Sequence, residues 1–508
     1  METPQASSEK LDYSVLMVIV IGTFMAILDG TIVNVGLPRI ITIFNSSTEQ
    51  AQWVVTAYML TLGVIMPISG YLGDRFGYKK VYFFALAFFV LGSGLCGTAW
   101  SINSLIIFRV IQALGGGIMQ PLGMAILYQN YPRDKMGMVL GIWGIAVMAA
   151  PAVGPTLGGY LVDYANWRFI FYLNVPVGII NLFLATMYLK PTVLIKAKHF
   201  DVAGIVFSST GFFCLLLALS QGASHGWKSP YIVGLFFIAV LSLCIFVYSE
   251  LNHSEPLLDL RLFRNPIFTI SVIVSSIISI GMFGVIFLIP LLLQSILGQS
   301  AMQTGLILFP AALASGLMMP ISGRLFDKYG ARAIVAGGLV ILVWTTYMMH
   351  TFNAFTSFAV MTLWLAIRGL GMGFCFMPST TAGMNTVPQA LVGRASALNN
   401  VIRQVASAFG IAMFTSVLQN RQAFHFANLA STINLNSYEY SSWQQLFQSI
   451  ASALGLGYGS IQGISTGMIA QQAARQSMIM AMDDCFLAAA GMCLIALMLS
   501  FFFKGARR

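Results

Sequence analysis

The sequence predicts an all-α membrane protein: two six-helix bundles with inverted repeats plus two extra linking helices, 14 transmembrane helices in all. Three observations predict it. The chain is 58% hydrophobic and only 8% charged, whereas a soluble domain carries about 25% charged residues. Its apolar runs reach the ~20 residues that a spanning helix needs. Finally, a short motif recurs in the second half of the chain, which signals an internal repeat.

The runs fall at roughly 13–35, 51–72, 81–100, 104–127, 138–162, 169–189, 202–220, 231–249, 268–293, 301–322, 332–351, 357–378, 394–418 and 479–503. No long polar block remains for an aqueous catalytic domain. The polar stretch Met1 to Lys10 is no cleavable signal, because the run after it is long enough to span. The six cysteines (Cys96, Cys214, Cys244, Cys375, Cys485 and Cys493) lie in or beside apolar runs and form no C-x-x-C pair. They read as small buried hydrophobes, and neither a zinc site nor a disulfide framework is indicated.

An even number of spans puts both termini on one side. Lys and Arg are divided roughly 18 to 5 between the two sets of loops. By the positive-inside rule both termini are cytoplasmic. The net charge of +10 is then an orientation signal and a partner for anionic lipid, and nucleic acid is not expected.

Gly70-Tyr-Leu-Gly-Asp74-Arg75-Phe-Gly77 follows the second span, and Gly323-Arg-Leu-Phe-Asp327-Lys328-Tyr-Gly330 follows the tenth. A second echo joins Arg109 to Gly117 in the fourth span with Arg368 to Gly373 in the twelfth. The duplication divides the chain into an N-terminal bundle at 1–195, two additional helices at 196–255 and a C-terminal bundle at 256–508. The last contains a long, weakly charged external loop at about 419–476.

Asp29 is the one acid deep inside a predicted span. A carboxylate in hydrocarbon is costly and marks a polar pathway. At about 1.5 Å per residue, Asp29 lies ~24 Å along the first helix. Arg109 lies about 8 Å into the oppositely directed fourth helix. In a core of ~30 Å the two share one depth. They are expected to form a switchable pair for proton coupling: Arg109 holds Asp29 ionised when close, and separation lets Asp29 take a proton. A fixed structural salt bridge is the plain alternative, disfavoured because a static buried pair adds little stability for its cost. Thr31 and Asn34 extend the polar patch around Asp29, and Pro38 is expected to end the helix. Gly70, Gly73 and Gly77 permit a tight turn and close helix approach. Asp74 can then sit at a neighbouring helix N-terminus, where the dipole favours negative charge. A contact made in one state and broken in another is a conformational latch, with Asp74, Arg75 and Asp327 as its charged members. Pro151, Gly154, Pro155, Gly158 and Gly159 in the fifth span are read as a bend with small-residue packing.

Gly70 to Lys80 looks like the loop signature of the major facilitator superfamily, and Arg109 to Gly117 is similar to its fourth-helix motif. Gly154-Pro155-x-x-Gly158-Gly159 resembles its antiporter motif, with Ala150 where that motif usually has Gly. Leu28 to Pro38 and Trp167 to Gly178 look like the fourteen-helix drug:proton antiporter branch, the EmrB/QacA type. The resemblance covers nearly the whole chain. It implies export of hydrophobic or amphipathic compounds in exchange for protons. Asp29 and Arg109 would serve coupling, Asp74 and Arg75 the latch, and Gly154, Pro155, Gly158 and Gly159 the antiport bend.

In the C-terminal half, Arg368 and the cluster Asn399-Asn400-Val-Ile-Arg403-Gln404 fall near the midplane. Thr31, Asn34, Gln112, Arg368, Asn400, Arg403 and Gln404 are the candidate lining of a substrate cavity. Asp483 and Asp484 read as interfacial charges at the start of the last helix. The loop at 419–476, with Trp443, and the segment Gln419 to His425 resemble the EmrB side of the branch. That side works in the bacterial inner membrane with a periplasmic adaptor and an outer-membrane channel. The five histidines pair with no acid nearby in sequence and no metal is expected. Gly115-Gly-Gly117 lacks the Lys-Ser/Thr of a phosphate loop. No nucleotide-binding domain is seen, so energy is expected from a proton gradient and no cofactor is required. An exporter of one metabolite, such as a siderophore or lipid, fits the same sequence. A membrane enzyme or a channel fits it poorly.

Overall fold

A computed structural model describes residues 13–191, 201–253, 255–432 and 458–503, with single positions at 442, 445 and 449. The expectations resting on Lys10, Lys196, Lys198, His199, Trp443, Lys504, Arg507 and Arg508 lie outside the described residues. Among the described residues, fourteen helices are long and apolar enough to cross a membrane.

The first six spans are α1 (Ser14–Phe44), α2 (Thr48–Phe76), α3 (Tyr78–Gly97), α4 (Ile102–Asn130), α5 (Met136–Tyr164) and the broken pair α6 (Phe169–Tyr172) and α7 (Asn174–Tyr188). The linking helices are α8 (Val202–His225) and α9 (Pro230–Asn252). The last six are α10 (Pro266–Leu291), α11 (Ala301–Tyr329), α12 (Ala331–Met348), α13 (Phe358–Met384), α14 (Val392–Thr432) and α15 (Tyr458–Ser500).

Local chemistry fixes the helix ends. Capping boxes start α2 at Ser47, α4 at Ser101 and α11 at Ser300, each side chain accepting from the third residue of its helix. The repeated motif ends on glycine for a conformational reason. Gly77 (φ 90°) joins α2 to α3, and Gly330 (φ 79°) joins α11 to α12. One residue turns the chain in each case, in a region that a side chain disfavours.

Several expectations are corrected. Pro38 does not end α1, which runs on to Phe44 and stops at Asn45 in the left-handed region. The stretch 419–476 is not loop throughout: α14 continues to Thr432 and α15 begins at Tyr458. These helices have 41 and 43 residues, about 60 Å each at 1.5 Å per residue. That is twice a ~30 Å hydrocarbon core, so both rise well beyond it as a hairpin. Asp483 and Asp484 are therefore not at a helix start. Asp484 Oδ2 accepts from Arg421 Nε at 2.5 Å and meets His425 Nε2 at 2.7 Å, tying the hairpin together. Five cysteines are buried, but Cys244 on α9 is exposed.

Small residues set the packing. Gly115 brings α4 onto α3, where a Cβ would stand 2.2 Å from Ala85 O, and Gly371 brings α13 onto α12, where it would stand 3.0 Å from Gly338 O. Each copy of the second sequence echo thus carries a glycine that presses its helix onto the preceding span. The ends of α2, α4, α11 and α13 meet the starts of α5 and α14 at one end of the bundle. The two halves therefore repeat in the same sense, and any inversion lies within a half.

Candidate functional site

The first element of the site is dry. Asp29, Arg109 and Gln112 each have 0% exposure. Arg109 Nη1 is ion-paired with Asp29 Oδ2 and also donates to Gln112 Oε1 at 2.6 Å. Arg109 Nε donates to the Val54 carbonyl at 3.2 Å, and the guanidinium lies 3.8 Å from the centre of the Tyr58 ring. Asp29 Oδ1 accepts from Gln112 Nε2 at 2.7 Å and from Asn174 Nδ2 at 2.9 Å. Five spans thus contribute to one buried carboxylate, since Gln112 also donates to Ser93 Oγ on α3 at 2.7 Å. Arg109 Nη2 has no hydrogen-bond partner among the described residues. Such a pair is held by Coulomb attraction at low dielectric, against a large desolvation cost. Neutralising either member would upset that balance.

The residues expected beside Asp29 divide. Gln112, assigned to the substrate cavity, belongs to the ion pair. Thr31 turns toward α5 and donates to Leu28 O at 3.0 Å, and Asn34 is exposed. Asn174, Tyr58 and Ser93 join the site without having been singled out for it. Gly154 and Gly158 lie on α1: a Cβ would stand 2.4 Å from Thr31 Oγ1 at the first and 2.8 Å from Ile32 Cγ1 at the second. Gly159 meets nothing within 4 Å, and α5 runs unbroken through Pro155.

The second element is a pair of ties between the halves. Asp74 lies inside α2, not in the loop after it. Its Oδ2 accepts from Arg394 Nε on α14 at 3.1 Å, and its Oδ1 accepts from Tyr78 Oη at 2.6 Å. Asp327 on α11 accepts the backbone N–H of Gly137 at 2.9 Å and of Met138 at 3.0 Å. These are the first amides of α5, where a helix dipole favours an anion. Glycines let the backbones meet: a Cβ on Gly70 would stand 2.6 Å from Gly393 O, and one on Gly323 would stand 2.0 Å from Gly137 O. Arg75 donates to Tyr71 Oη, one turn back on the same helix, at 3.2 Å. Arg133 completes this end, donating to the carbonyls of Asn385 at 2.6 Å and Val387 at 2.5 Å. The bundle is closed there.

The third element is a cavity of about 110 Å³ between the halves, walled by α5, α10, α11 and α13. Met148, Pro151, Met282 and Met372 give it an apolar, adaptable surface. Arg368 is the charged residue in its lining. Arg368 donates to Gly281 O at 3.2 Å, and its Nε is unpartnered among the described residues. Arg403 lies elsewhere, bonded to Asn400 Oδ1 at 2.5 Å and 5.6 Å from the Phe376 ring centre. Gln404 faces Gly63 on α2.

The Major Facilitator Superfamily profile matches residues 19–411. The chain belongs to the major facilitator superfamily. It is 35% identical to the MFS-type transporter YhcA of Bacillus subtilis (strain 168) over 100% of this chain and 96% of the other. It is 32% identical to the multidrug export protein EmrB of Escherichia coli (strain K12), covering 95% of this chain and 94% of that one. Among solved structures, the human organic anion transporter MFSD10 matches with a TM-score of 0.60 at 13% identity, over 97% of this chain and 100% of the other, which supports the fold alone. Superfamily members are transporters rather than enzymes, and this one is an integral membrane protein with multidrug exporters among its relatives.

Proposed function

We propose that this superfamily member is a proton-coupled efflux antiporter that exports hydrophobic or amphipathic compounds by alternating access. The observation that carries the reading is the Asp29–Arg109 pair, sealed from solvent and braced by Gln112 and Asn174. Ionised Asp29 holds α1 against α4. A proton on Asp29 removes the attraction and leaves Arg109 buried without a counter-charge, which is expensive enough to drive a rearrangement. Asp74–Arg394 and Asp327–Gly137 are the contacts that break as the closed end opens.

The apolar wall of the α5–α11 cavity suits hydrophobic cargo, and the names of relatives such as EmrB and the lincomycin resistance protein LmrB of Listeria innocua support drug export. The closed end is assigned to the cytoplasm of a bacterial inner membrane on the distribution of Lys and Arg. The α14–α15 hairpin is assigned to docking of a periplasmic adaptor and, through it, an outer-membrane channel. Adding candidate drugs to the purified protein in weak buffer tests the reading. Proton release is expected from wild type and none from Asp29→Asn. Equal release from both would overturn the role of Asp29.

A further inference from the structure

The linking helices carry an acid pair that neither the coupling pair nor the latches use. Asp201 precedes α8 and caps it, its Oδ1 accepting Gly204 N at 2.7 Å. Glu250 lies near the end of α9, and its Oε2 accepts Leu258 N at 3.1 Å. The residues are 2% and 1% exposed. Each spends one oxygen on a backbone amide. The other two oxygens, Asp201 Oδ2 and Glu250 Oε1, are buried and find no donor among the described residues. Both point at one spot beside Gly204, where a Cβ would stand 2.3 Å from the first and 2.7 Å from the second. Two ionised carboxylates cannot face each other there without a cation or a donor. One proton answers both deficits: the protonated oxygen donates and the ionised one accepts.

The neighbouring charges give the pair a target. Arg394, the residue that Asp74 holds, lies within electrostatic reach of Glu250. The charged or titratable described residues near this end of the adjoining elements include Asp74 and Arg75 on α2, Tyr78 on α3, and His253, Glu255, Asp259, Arg261 and Arg264 after α9. Asp74 and Tyr78 are bonded to each other, Asp259 caps Arg261 N, and Arg261 Nη2 donates to the carbonyls of Leu251 and His253.

We infer that Asp201 and Glu250 form a second proton-binding site whose charge sets the strength of the Asp74–Arg394 latch. With one proton the pair carries a single negative charge and leaves Arg394 to Asp74. Without it, a second negative charge competes for the same guanidinium and loosens the tie. Rising pH at this end therefore favours opening. The inference rests on the latch reading of Asp74 and is independent of the coupling role of Asp29.

Spin labels on Phe76→Cys and Ala390→Cys, in full-length Cys244→Ser protein in lipid, report the separation of the halves at this end as pH is varied. The open population is expected to grow with pH in Asp29→Asn, where the coupling acid no longer titrates, and the response to be lost when Glu250→Gln or Asp201→Asn is added to it. Infrared spectra should show a protonated-carboxyl band that Glu250→Gln removes and Asp74→Asn and Asp29→Asn retain. Should Glu250→Gln fail to fold, Asp201→Asn carries both measurements. An unchanged pH response in the folded variants, or an intact band, overturns the site. A response already lost in Asp29→Asn alone assigns it to the coupling pair and overturns the site equally.

Discussion

Asp327 reaches across the molecule to the backbone of Gly137, its Oδ1 2.9 Å from the amide nitrogen. The partner tie, Asp74 to Arg394, joins the same end of the bundle through a guanidinium instead. One repeated motif has thus been used in two ways. On one side the acid meets a helix start, and on the other it meets a side chain just inside the helix start.

Asp327→Asn should weaken the closed end. A charge-assisted bond is worth about 1.5–3 kcal/mol, and partial solvent access places this one at the lower end. The alkylation rate of Ala395→Cys, buried at the closed end, should rise about tenfold. A rate equal to that of the unsubstituted background would remove Asp327 from the latch.

Gly323→Ala should act by shape, because its Cβ would stand 2.0 Å from the Gly137 carbonyl oxygen. Helix separation is the available relief, so export should fall and the same cysteine should become accessible. Gly159→Ala is the contrast: nothing lies within 4 Å, and replacing a helical glycine gains up to ~1 kcal/mol. Its thermal stability should hold or rise with transport retained. Indistinguishable behaviour of the two variants would defeat the close-approach argument.

Arg109→Lys should fail almost as completely as Asp29→Asn. One ammonium cannot bond Val54 O, Asp29 and Gln112 together while lying flat over Tyr58. Uphill export in vesicles with an imposed pH gradient should be lost in both, with drug binding still measurable. Retained uphill export in either variant would sink the coupling assignment.

Arg368→Leu removes a guanidinium with a bare Nε from the cavity wall. Loss of a buried unpaired charge is often neutral or stabilising, so the melting temperature should not fall. Binding of anionic amphipaths should weaken about tenfold, equivalent to about 1.4 kcal/mol, while neutral compounds are spared. A uniform loss across compounds would point to structural damage instead.

The spans were legible because lipid demands continuous apolar length, a signal that survives without tertiary information. Asp29 and Arg109 were legible because depth can be counted along a helix. Thr31 and Asn34 stand apart from Asp29 because proximity along a helix is not a shared face. At about 100° per residue they stand roughly 200° and 140° around the helix from Asp29. Asn174 and Tyr58 reach the site through packing of α7 and α2, which no local pattern records. Arg394, Asp201 and Glu250 resemble ordinary charges at span ends, and only their convergence in space distinguishes them. The α14–α15 hairpin resembles loop in sequence because its helices are polar where they leave hydrocarbon.

The Gly137–Gly323 crossing has a mechanical consequence. Main chain touches main chain there, so the contact itself has no rotamers to freeze. Under the proposed alternating-access cycle it would part and re-form at little entropic cost, leaving the nearby acids to set how long it stays shut.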